Sequence, residues 1–203
     1  MRAVDHDERR RRIAEVTVDV IAREGLEAAT IRRIAAELGG PTKIVTHYFA
    51  DKQQLLVWAY RSLAEQHQRE VTLAVANDPS DLVGGLLAMT AADESRVLLW
   101  RVYLAFWDRA ARDPLIAELQ RTQINLALKR IGGFIQARNG DRPDVESVSQ
   151  RLNALVQGIS ILALVQKERW SEDRIRSILA EEVEIVLGSA ATVITDRRYS
   201  TPG

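Results

Sequence analysis

Three features of the 203-residue chain predict an all-α fold of about nine helices. Apolar residues recur at three- and four-residue spacing over most of the length, and nowhere do they alternate as a half-buried strand requires. The five prolines stand mostly at helix starts, where a missing N–H is harmless. Gly and Asn-Asp-Pro steps punctuate the chain between the periodic stretches.

Each element follows from its own signals. Ile13, Val16, Thr17, Val20 and Ile21 predict a first helix over 8–24, ended by Gly25 as a C′ glycine. Thr30 caps a short helix, 31–38, with Ile31, Ile34, Ala35 and Leu38 on one face. Gly39-Gly40 breaks it. Pro41 opens a third helix to about Tyr48. Asp51 caps a fourth, carrying Leu55, Leu56, Ala59 and Leu63 and running to about Ala76. Asn77-Asp78-Pro79 and Asp113-Pro114 each end one helix and start another. Helices over 80–90, 93–111 and 115–137 are expected, the last with Gly132-Gly133 as a weak point. A loop over 139–143 precedes two long helices, 144–168 and 172–194, the second capped by Ser171. The tail from Asp196 lacks periodicity and reads as frayed.

Composition narrows the function. With no cysteine, disulfides, thiolate metal sites and cysteine nucleophiles are excluded. No uninterrupted apolar run approaches the ~20 residues of a membrane span, and Met1–Arg12 lacks the apolar stretch of a secretory signal. The expected location is cytoplasmic. The 28 basic and 28 acidic side chains cancel, which argues against bulk coating of nucleic acid but leaves room for a local patch. Arg9 to Arg12 form one basic run, and Arg32, Arg33, Lys43 and Lys52 follow as candidate DNA contacts. Such a run is equally what a solvated helix face displays.

The segment from Thr30 to Lys52 holds the parts of a helix-turn-helix: short helix, glycine turn, second short helix. The second helix of such a motif enters the major groove, about 12 Å wide, while the first crosses the backbone. Gly39 and Gly40 supply the turn. Ile34, Leu38, Ile44 and Val45 lock the helices together, which leaves Thr42, Lys43, Thr46 and His47 to face DNA.

Residues 13–56 resemble the DNA-binding domain of TetR-type repressors. Gly25, Thr30, Ile34-Ala35, Gly39, Tyr48-Phe49 and Lys52 followed by Leu55 carry the likeness. The resemblance implies that Thr30 and Lys52 anchor phosphates, that the 42–48 helix, Tyr48 included, reads bases, and that Phe49 is core. Pro41 and Lys43 depart from the family pattern, which has Ser or Thr and a small residue there. Thr46-His47-Tyr48-Phe49 is close to the pattern of the BetI-type branch, repressors of choline metabolism. Residues 98–120, LLWRVYLAFWDRAARDPLIAELQ, resemble the C-terminal domain of that branch. On this reading residues 1–52 form a three-helix DNA-binding domain and 53–203 an effector-binding and dimerisation domain.

Trp100, Tyr103, Leu104 and Trp107 fall on one face of the 93–111 helix. Large aromatics line apolar pockets, and a cage of them attracts a quaternary ammonium. With Trp58 they are the candidate ligand-binding side chains. The expected effector is a small apolar or cationic molecule, with choline as the matching cation and Asp93, Glu94 or Asp108 as counter-charge. An aromatic stripe also serves a plain core. A lone helical histidine such as His67 reads as packing.

On the 144–168 helix, Leu152, Leu155, Val156, Ile159 and Ala163 make one stripe, and Ile161, Leu162, Leu164 and Val165 extend it nearly all round. A second broad stripe runs from Ile175 to Ile194. Two such helices meeting their twofold copies make a four-helix dimer interface. The function expected is a ligand-responsive transcriptional regulator, acting as a repressor. It binds a palindromic operator as a homodimer and is released by a small molecule. No cofactor or metal is expected. The competing classes are an enzyme or a helical binding protein that reads no DNA, but no HExxH, GxSxG or phosphate-loop motif supports catalysis.

Overall fold

A computed structural model of the protein describes residues 2–188, with side chains from His6 onward. Among these residues the chain forms nine α-helices and no strand. They are α1 (Arg2–Glu24), α2 (Ile31–Glu37), α3 (Lys43–Thr46), α4 (Lys52–Ala74) and α5 (Leu82–Ala88), then α6 (Glu94–Ala110), α7 (Pro114–Asn139), α8 (Val145–Val165) and α9 (Glu172–Gly188). A single 3₁₀ turn, Lys167–Arg169, links the last two.

Caps set most boundaries. Thr30, Asp51, Asp81, Asp93 and Asp113 each accept a bond from a backbone N–H in the first turn of the helix they precede. Each such cap contributes about 1 kcal/mol. Gly25, at φ 85°, occupies the left-handed region that ends α1, and its N–H donates to Ile21 O at 2.9 Å.

Several boundaries differ from the expected ones; α5, for one, starts at Leu82 behind an Asp81 cap rather than at the Asp78-Pro79 step. The first helix extends back to Arg2, and its His6 ring lies 5.0 Å from that of Tyr48. The third helix is only one turn, although Tyr48 and Phe49 still donate to Val45 O. The eighth stops at Val165, where Gln166 leaves helical dihedrals. Helix α7 runs unbroken through Gly132-Gly133. A Cβ at Gly132 would stand 3.5 Å from Ser149 Oγ, an ordinary contact with α8. The expected continuation of the last helix to 194, with Ala190 and Ile194, and the tail from Asp196 lie outside the described residues.

Two apolar clusters form the core. One joins α1–α4 and also takes Val102 and Phe106 from α6 and Ile116 and Leu119 from α7. The other joins the end of α4 to α5, α7, α8 and α9, with Trp100 of α6. Tyr103 packs against both. By length and composition α8 would pass for a membrane span, with mean hydropathy 1.3. Its Leu152, Val156, Ile159 and Ala163 are instead buried against the subunit's own core.

Candidate nucleic-acid interface and effector cavity

The reading head is built around buried Ile34, Ala35, Val45 and Phe49. Gly39, at φ 73°, turns the chain from α2 into α3, as a residue with a Cβ would do only under strain. On the outer surface Thr42, Lys43, Thr46 and His47 are exposed, and Tyr48 is half-buried. His47 meets Tyr48 edge-on at 4.9 Å, and His6 from α1 packs on both rings. Arg9 of α1 lines the same groove as Pro41, Lys43, His47 and Tyr48. His6 and Arg9 therefore join the residues that sequence reasoning had placed there. The basic run was the only signal for Arg9.

The remaining predicted DNA contacts divide. Thr30 Oγ1 accepts from Arg33 N at 3.1 Å and keeps its hydroxyl proton to donate. Arg32 is exposed and forms no ion pair among the described residues. Lys52 Nζ donates to Glu27 O at 3.1 Å, tying the start of α4 to the α1–α2 loop. Arg33 is committed inside the fold. It bonds Glu24 at 2.7 Å and Glu37 at 2.5 Å, and Glu37 also takes Arg23 at 2.7 Å. Hydrogen bonds to the two carboxylates raise the Arg33 pKa, and those to Arg33 and Arg23 hold Glu24 and Glu37 below the usual carboxylate range. This four-charge cluster clamps α2 onto the end of α1. Of the Arg9–Arg12 run, Arg10 lies over the Trp58 ring at 5.2 Å and Arg12 bonds Glu15 at 3.3 Å.

A cavity of about 80 Å³ lies between α4, α6, α7 and α8. Trp100, Tyr103 and Trp107 line it, as does Tyr60. Trp100 is anchored by its Nε1, which donates to Met89 O at 3.1 Å, and its ring meets Tyr103 edge-on at 5.7 Å. Trp107 stands at the rim, 42% exposed. Leu104, expected on the same face, is exposed and does not line the cavity. Tyr60 is fully buried and donates its hydroxyl to Gln120 Oε1 at 2.6 Å. Burial pushes the hydroxyls of Tyr60 and Tyr103 up, so both stay protonated.

Other predicted ligand residues lie elsewhere. Trp58 packs edge-on against Phe49 at 6.3 Å, under Arg10, and belongs to the α1–α4 contact. Asp93 caps α6 and bonds Arg96; Glu94 pairs with Lys167 and Asp108 with Arg112. None of these carboxylates lines the cavity. Sequence reasoning missed the polar lining: His67, Gln68, Gln120, Gln123, Arg130, Asn153 and Gln157. Polar residues on helices read as solvated surface until the packing is known. His67 is 8% exposed and its Nδ1 makes no hydrogen bond. Burial, with Arg130 and Arg96, pulls its pKa down to about 4, so the imidazole is neutral.

The expected dimer stripe of α8 faces inward. Leu152, Val156, Ile159 and Ala163 are buried within the subunit, and so are Ile175, Leu179, Val183 and Val186 of α9. What α8 presents outward is Ala154, Gly158, Ile161, Leu162 and Val165, an apolar stripe with small residues at one end.

Comparison with known proteins agrees with this architecture. Residues 13–57 match the profile of bacterial regulatory proteins of the tetR family. Residues 80–188 match that of the BetI-type transcriptional repressor C-terminal domain. The chain is 28% identical over 191 residues to the HTH-type transcriptional regulator PksA of Bacillus subtilis, covering 90% of this chain and 92% of that one. It is 27% identical over 187 residues to BetI of Vibrio atlanticus, covering 88% and 91%. A transcriptional regulator from Saccharomonospora viridis, solved in complex with choline, superposes with a TM-score of 0.74 at 26% identity, covering 88% and 96%. The chain belongs to the tetR family, with a C-terminal domain of the BetI type, and is a ligand-responsive transcriptional regulator rather than an enzyme.

Proposed function

We propose that this regulator is a cytoplasmic homodimer that binds a palindromic operator through α3 of each subunit and is released when a small molecule enters the cavity between α4, α6, α7 and α8. The observation that carries the reading is the course of α4. It begins at Lys52, held against the α1–α2 loop of the reading head, and its Tyr60, Ala64 and His67 line the cavity two to four turns later. A second tie supports it: Glu27 of the same loop pairs with Arg109 at 3.4 Å, on the helix that carries Trp100 and Tyr103. The cavity is smaller than the ~150 Å³ void that admits benzene, so an effector of that size must push helices apart. Displacing α4 or α6 moves the head that each holds.

On this reading residues 1–52 are the DNA-binding domain and 53–203 the effector-binding and dimerisation domain. The boundary falls at the start of α4, so one helix serves both. Thr42, Lys43, Thr46, His47 and Tyr48 read the groove, helped by Arg9. Thr30, Arg32 and Lys52 hold phosphates. Trp100, Tyr103, Trp107 and Tyr60 hold the effector's apolar body. The outward stripe of α8 pairs with its twofold copy.

The test is a pair of titrations on the operator recovered from random duplex DNA. Lys43→Ala and His47→Ala weaken operator binding while leaving cavity ligands bound as before. Tyr103→Ala leaves operator binding intact but abolishes its release by ligand. Loss of operator binding in Tyr103→Ala, with a native melting temperature, would contradict the division of labour.

A further inference from the structure

We propose that the effector is a small carboxylate with a flat apolar body, its anionic group held by Arg130 and an oxygen at its far end by Gln120. This deepens the effector reading above and rests on it.

The charge of the lining leads here. Among the residues that line the cavity Arg130 is the one ionised side chain, and no Asp or Glu accompanies it. Arg130 is half-buried and forms no ion pair among the described residues. Its outer side borders a surface cleft shared with Glu65 and Arg69, and it pairs with neither. Burial lowers its pKa, the sign of a cation deprived of water without an anion to replace it. Glu70 stands 4.0 Å from His67 Nδ1, but it lines the groove between α1, α4 and α6, which shares only His67 with the cavity, and it bonds Gln66. A quaternary ammonium would meet aromatic faces here, but also an unpaired guanidinium and no carboxylate in the lining.

The second observation is an orphaned donor. Gln120 is 6% exposed, and its Oε1 takes the Tyr60 hydroxyl proton, so its Nε2 is left without an acceptor. A buried N–H without a partner is destabilising, and a ligand oxygen relieves it. Gln120, Gln123, Ile124, Ala127 and Arg130 follow one face of α7, so the donor and the guanidinium stand towards opposite ends of the cavity. The rings of Tyr60, Tyr103 and Trp100 line the same cavity, Tyr60 bonded to Gln120 and Tyr103 within the electrostatic reach of Arg130. A planar acid with an oxygen at its far end matches that lining: a cation and an amide donor ten residues apart on α7, with aromatic faces in the same cavity.

The experiment is calorimetric titration of the full-length dimer with 4-hydroxybenzoate, benzoate, 4-hydroxybenzamide and choline chloride, in wild type, Arg130→Met and Arg130→Lys. Melting temperatures and operator affinity without ligand serve as folding controls. The expected result is that 4-hydroxybenzoate binds more tightly than benzoate and at least about tenfold more tightly than its amide. Arg130→Met loses that preference and Arg130→Lys restores part of it. Choline binding more tightly than both acids overturns the proposal, and so does an acid affinity unchanged in Arg130→Met. Failure of both acids to bind at millimolar concentration overturns it too. The effector reading fails separately: it falls if a bound acid leaves operator affinity unchanged, and it stands if choline releases the operator.

Discussion

At the scale of the residue, similar side chains divide by their partners. Lys43 and Arg33 are both basic and both lie in the helix-turn-helix, but Lys43 is exposed and Arg33 is held by Glu24 and Glu37. Lys43→Ala should therefore lower operator affinity and reduce the salt slope by about 1, whereas Arg33→Ala should leave the slope unchanged and lower the melting temperature. Affinity measured across a salt series, beside a thermal melt, checks both. Identical slopes for wild type and Lys43→Ala would remove that lysine from the phosphate contacts. His67 gives a pH signature. Its imidazole titrates near 6.5 when unfolded and at about 4 when folded. Between those values the unfolded chain binds a proton that the folded chain does not, so stability falls as pH drops from 6.5 towards 4, by at most about 3 kcal/mol. Urea midpoints from about pH 7 to about pH 4.5 should decline less in His67→Gln than in wild type. Equal declines would mean that the site does not exclude the proton.

At the scale of the element, periodicity and caps were legible because each acts within one helix. Thr30, Asp51 and Asp113 cap where their chemistry places them. What was not legible depends on a neighbour from elsewhere in the chain. Trp58 and Trp100 look alike in sequence, but one packs on Phe49 and the other opens onto a cavity. Gln120 and Arg130 read as solvated until α7 was set against α4 and α6. Helix α5 shows the same dependence. A Cβ at Gly85 would stand 2.5 Å from Phe134 Cε2, a ring fixed in the core. Gly85→Ala should destabilise the protein by about 1–3 kcal/mol despite the better helix propensity of alanine. Chemical denaturation of the variant checks this; a stabilised variant would show that the ring can retreat.

At the scale of the whole molecule, the two apolar clusters meet at Tyr103, and the reading head borrows Val102, Phe106, Ile116 and Leu119 from α6 and α7. The head is thus not an independent ball joined by a flexible linker. That continuity gives an effector a mechanical route to the DNA. The proposed dimer uses the outward stripe of α8, where Ile161 and Leu162 are each 44% exposed and Val165 is 78% exposed. Leu162→Lys should produce a folded monomer by sedimentation and lose operator affinity, since each recognition helix alone makes only half the contacts. A dimeric Leu162→Lys protein would move the interface elsewhere.

On the proposed function, α3 of two paired subunits reads a specific DNA sequence. Selection of bound sites from random duplex DNA at about 150 mM salt, where phosphate-only binding is weak, tests it most directly. The expected result is enrichment of a palindrome whose half-sites lie about one helical turn, ~34 Å, apart. A folded, dimeric protein that enriches no sequence, or enriches the same sequence after Lys43→Ala and His47→Ala with undiminished affinity, would contradict it.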